Sequence, residues 1–98
     1  MTFRTMLTKD KRLLILRFLA EGVGYKLNTS VLQSALDAYG YSVTRDQVAV
    51  DAAWLAEQDL VRCEQVGPVT VVELTARGAD VAAGRAEIPG VARPRPGV

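Results

Sequence analysis

The side chains of this sequence that could do chemistry are mostly cations and amides, and the chemistry they suit is recognition. Arg45 and Gln47 stand near the start of V-T-R-D-Q-V-A-V-D-A-A-W-L-A-E-Q-D-L-V, residues 43–61, where a guanidinium and a carboxamide can reach base edges in a major groove. Lys11 and Arg12 near the beginning of the chain, and Arg62 just beyond that stretch, are candidates for phosphate contacts. Arg93 and Arg95 alternate with prolines, a pattern that can follow phosphates or enter a minor groove. Bond-making chemistry has much less to stand on. The chain has no histidine and one cysteine, Cys63, which removes Ser-His-Asp and Cys-His catalysis and zinc sites built on histidine or clustered cysteine. We therefore expect no enzyme, no cofactor and no metal. Cys63 is expected to face the core as a small hydrophobe.

Charge is unevenly spread along the chain. The formal net charge is +1. Arg4, Lys9, Lys11, Arg12 and Arg17 against Asp10 give residues 1–17 a charge of +4, and Arg85, Arg93 and Arg95 against Glu87 give residues 85–98 a charge of +2, leaving −5 for the middle. Attraction to a polyanion is thus concentrated at the two ends. Asp46 and Asp51 oppose a phosphate backbone unless they are paired within the fold.

A chain of 98 residues has room for one domain with a modest core. Its 49% apolar and 23% charged content is that of a globular protein. The apolar run from Leu13 to Leu19 is broken by Arg17, so it is not a secretory signal, and no stretch approaches the roughly 18–20 apolar residues that span a bilayer. A single cysteine fits a reducing compartment. A cytoplasmic protein with no membrane partner is expected.

Residues 43–61 organise the rest. Thr44 and Gln47 have capping-box spacing, Val43 and Val48 have hydrophobic-staple spacing, and Val48, Ala52 and Leu55 recur on one helical face. Its outward positions are then Arg45, Asp46, Ala49, Val50, Ala53 and Trp54, an apolar and poorly basic set. Upstream, Met1–Leu7 has no firm pattern and is expected to be an arm, with Thr8 capping a first helix that ends at Gly22. Ile15, Leu16 and Leu19 form its core stripe, and Leu13, Leu14 and Phe18 add more apolar surface than one small core needs. We expect those three residues to form a homodimer interface. Leu27 is expected in a short strand or as a staple, and Asn28, or Ser30 with Gln33, caps a second helix ending at Gly40. V-R-C-E-Q and V-T-V-V-E-L flank Gly67-Pro68 and read as a hairpin. Thr75 caps a last helix ended by Gly84, and the proline- and glycine-rich residues 85–98 are expected to be an extended arm.

The run L-A-E-Q-D-L-V, a hairpin and then L-T-A-R-G is similar to the pattern of bacterial winged-helix regulators of the ArsR and MarR type. V-T-R-D-Q-V, D-x-x-W-L-A-E-Q, L-T-x-R-G-x-D-V-A-x-G-R and P-G-V-x-R-P together resemble a family of small proteins of Mu-like phages and prophages, over nearly the whole chain. The metal-sensing cysteine motif of arsenic-type repressors is absent, and Asp59 stands where glycine commonly precedes the Leu-Val step. The resemblance implies a mainly α fold with a small β hairpin, a winged helix-turn-helix over residues 1–84 with the tail at 85–98. It implies a DNA-binding transcriptional regulator. The alternative is a winged helix that binds a phage protein or its own copy, without specific DNA binding.

Overall fold

The computed structural model describes residues 2–95; of the expected arm and tail, Met1 and residues 96–98 lie outside the described residues. In chain order the elements are α1 (Phe3–Glu21), a 3-10 turn (Val23–Tyr25), β1 (Lys26–Asn28), α2 (Thr29–Ala38), α3 (Arg45–Glu57), β2 (Val61–Val66), β3 (Val69–Leu74) and α4 (Ala76–Ala82). β3 pairs antiparallel with both β1 and β2, giving the strand order β1-β3-β2. The expected hairpin is therefore two-thirds of a sheet, and the fold is α+β. Leu27 supplied the hint of the third strand, which at three residues is too short to show a period of its own.

Side-chain caps set most of the helix starts. Asn28 accepts from the Val31 amide, Thr75 from Gly78, and Thr44 forms the full capping box with Gln47. Ser30 and Gln33 do not form a second box; the Gln33 amide instead donates to the Val43 carbonyl at 3.1 Å and braces the turn before α3. α1 corrects the expected start at Thr8. Thr2 is its cap, and Thr8 lies inside the helix with its hydroxyl donating to the Arg4 carbonyl. That first part of α1 carries no visible stripe because its outer side chains meet solvent, with Phe3 71% exposed.

The core gathers Ile15, Leu16 and Leu19 of α1, Leu32 and Leu36 of α2, Val48 and Leu55 of α3, and Val72 of β3. Each such side chain contributes about 1.5–3 kcal/mol by leaving water. Leu13 belongs to this same core at 7% exposure, while Leu14 and Phe18 are half-buried against it, Phe18 edge-on to Tyr39 with ring centroids 5.1 Å apart. The surplus apolar surface that suggested a partner on α1 is thus largely covered from within the chain.

Residues 85–95 do not project as an arm. Val91 is buried, and Ala86, Ile88 and Ala92 pack on the core. The Ala92 amide donates to the Lys9 carbonyl at 3.2 Å. The prolines keep this segment out of helix, as expected, but its apolar residues turn it into a strap across α1.

Candidate functional site

α3 is the element on which the candidate surfaces meet. Its inward face carries Val48, Ala52 and Leu55 and, among them, Asp51 at 5% exposure. The Asp51 carboxylate lies 3.0 Å from Lys11 Nζ and 3.5 Å from Arg12 Nε. The attraction is mainly ionic, since neither Arg12 Nε nor Asp51 Oδ2 makes a hydrogen bond. Arg12 also stacks 3.8 Å over the Trp54 ring and donates through Nη1 to the Gly90 carbonyl at 3.1 Å. Gly90 has φ +98°, and a Cβ there would sit 2.6 Å from Trp54. One cluster therefore bolts α1, α3 and the strap together. Nothing in the spacing of Lys11, Arg12, Asp51, Trp54 and Gly90 announces it, because the five residues come from three distant segments.

This geometry changes the expected nucleic-acid set residue by residue. Lys11 and Arg12 face Asp51 rather than solvent. Arg93 pairs with Glu87 at 3.4 Å and Arg95 with Asp10 at 3.6 Å, both on the surface. Gln47 is half-occupied by the capping box, its side-chain oxygen accepting the Thr44 amide at 2.8 Å. Arg45 is exposed at the start of α3, and Arg62 is exposed on β2 opposite Glu73. The seven are spread over α1, α3, the hairpin and the strap. The closest approach to a shared polar groove lies at the start of α3, lined by Arg4, Lys11, Tyr41 and Gln47 among others.

The outward face of α3 is apolar between charged ends. Arg45, Ala49, Ala53 and Glu57 follow one another at intervals of four, all exposed, and Val50 beside them is 67% exposed. Between this face and the hairpin runs a shallow trough lined by Ala49, Ala52, Ala53, Ala56, Cys63 and Thr70, with Glu57 at its end. Cys63 does not face the core as expected: it lies on the α3 side of β2, but the hairpin leaves the body there and the residue is exposed. Its sulfur is 3.8 Å from the Ala52 carbonyl, and burial of the sulfur pushes the thiol pKa up. That leaves it a poor nucleophile near neutrality. A second groove, of about 230 Å³, runs beside α1 and is lined by Leu13, Leu14, Phe18, Tyr39 and Tyr41, with Arg17, Arg93 and Arg95 among its rim. Burial and the nearby Asp10 carboxylate push the Tyr41 pKa up, against a smaller opposing effect of Arg95.

Among the described residues no group of three acidic, histidine or cysteine side chains is placed to hold a metal ion, and no helix is long and apolar enough to cross a membrane.

No family model matches the chain. It is 53% identical over 91 residues to gp26 of Escherichia phage Mu, an uncharacterized protein, covering 93% of this chain and 94% of that one. The chain belongs to the gp26 family of Mu-like phages. An uncharacterized protein of Haemophilus influenzae is 41% identical over 66 residues, covering 67% of this chain and 64% of its own length. The gp26-family fold seen here is also similar to the crystal structure of AF1382 from Archaeoglobus fulgidus, with a TM-score of 0.61 over 79% of this chain and 81% of that chain. At 22% identity that likeness concerns the fold alone.

Proposed function

We propose that this phage protein is a winged-helix module that binds protein through the face formed by α3 and the β2–β3 hairpin, as an adaptor or structural dimer. The order helix, strand, helix, helix, hairpin with sheet order β1-β3-β2 supports the winged-helix reading, with α2 and α3 as the helix-turn-helix pair. The observation that carries the function is the character of the outer α3 face. A helix that reads bases offers donors and acceptors to the groove and is flanked by cations for the phosphates. Here Ala49, Val50 and Ala53 occupy the middle of that face, and over residues 44–74 Arg45 and Arg62 are outnumbered by Asp46, Glu57, Asp59, Glu64 and Glu73. An apolar trough with a negative surround suits a protein surface better than a polyanion.

The second reading is a DNA-binding transcriptional regulator of the ArsR or MarR kind. The groove at the start of α3, which Arg4, Lys11 and Gln47 help to line, favours it. Gel retardation with fragments of Mu-like prophage DNA at low salt separates the two. No retardation at tens of micromolar protein is the expected result. A retarded complex that weakens steeply with salt, as counterion release demands, and that loses sequence preference in Arg45→Ala, overturns the protein-binding reading.

A further inference from the structure

We infer that the partner of the α3 face is α3 of a second copy of this chain, crossing it antiparallel about a two-fold axis. This rests on the protein-binding reading above and names its occupant. The reason lies in the row Arg45, Ala49, Ala53, Glu57, fully on the outside of a 13-residue helix. Rows at intervals of four form the ridges by which helices most often pack, crossing at roughly 50°. A two-fold axis between Ala49 and Ala53 lays the row against its own reverse. Arg45 of each copy then meets Glu57 of the other, and the alanines let the two backbones approach closely. An isologous contact requires such self-complementarity.

The electrostatics of the single chain point the same way. Arg45 sits in the first turn of α3 and Glu57 in the last, each at the helix end where the macrodipole disfavours its charge. Neither side chain has an ion pair or a side-chain hydrogen bond among the described residues. The antiparallel partner supplies the missing counter-charge at both ends. Val50 flanks the row on one edge, and the trough toward the hairpin, with Ala56 and Cys63, flanks it on the other, so both can widen the contact.

Sedimentation equilibrium of the full chain tests the arrangement, with circular dichroism to confirm that each surface variant is folded. A dimer is expected at tens of micromolar. Arg45→Glu and Glu57→Arg should each weaken it by roughly tenfold, because two attractions become two repulsions, and the double swap R45E/E57R should restore it. A monomer at these concentrations overturns the proposal, as does a dimer that ignores both single swaps or fails to recover in the double. So does a dimer abolished by Leu14→Glu on α1 and untouched by Ala53→Glu on α3. A monomer that also leaves DNA unretarded defeats this pairing alone, whereas retardation of DNA defeats the protein-binding reading itself.

Discussion

At the scale of single residues, Asp51 is the side chain on which most depends. Outward pointing, it would repel phosphate; buried, it becomes the counter-charge for two cations that sequence alone offers to DNA. Lys11 and Arg12 cannot leave it without stranding a carboxylate at 5% exposure. Removing one partner of a buried ion pair costs about 3–5 kcal/mol, so Asp51→Ala should lower the unfolding free energy by that order in a urea titration. A loss under 1 kcal/mol would mean the cluster is screened by water. Cys63 makes a smaller contribution with a definite sign. Burial holds its thiol pKa above the ordinary value, and Tyr41 is raised in the same direction. The folded chain keeps these protons more tightly than the unfolded chain. The stability they lend is therefore complete below the ordinary thiol value and is lost as pH rises through the folded one. The urea midpoint should fall between neutrality and about pH 10, and fall less in Cys63→Ala.

At the scale of elements, the clearest agreement between local chemistry and structure is the start of α3. Thr44 accepts the Gln47 amide at 3.1 Å while Gln47 returns to the Thr44 amide, and Val43 and Val48 both turn toward the core. Thr44→Ala should cost about 1 kcal/mol, measured as a shift of the denaturation midpoint at unchanged slope. The end of the same helix was legible in another way. Asp59 occupies a left-handed conformation at φ +60°, which explains why glycine suits the residue before a Leu-Val step. The start of α1 was not legible. A helical turn whose side chains all meet solvent has no apolar period, so only the Thr2 cap marks it, and threonines are too common to mark anything by themselves.

For the whole molecule, the strap is the main difference between what the chain looks like and what it does. Fourteen residues rich in proline and glycine read as an arm, yet residues 85–95 close over α1 and α3. They bury Val91, seat Gly90 under Trp54 and add two long-range hydrogen bonds. Truncation after Gly84 should therefore destabilise the domain by on the order of 4 kcal/mol. For a chain of this size that corresponds to roughly 20 °C in Tm, readable by thermal denaturation. An unchanged Tm would return the segment to the status of a loose arm.

The order of the four helices and the hairpin is written along the chain, though not the short β1, because caps, glycine stops and apolar periods are local signals that neighbouring residues carry among themselves. The poverty of the outer α3 face is written there too, since helical spacing fixes which residues share a side. Which charges are free is set by the packing of distant segments. Whether Lys11, Arg12, Arg93 and Arg95 point at solvent or at Asp51, Glu87 and Asp10 depends on segments brought together across the chain, and no local pattern records where a long cationic side chain finds its partner.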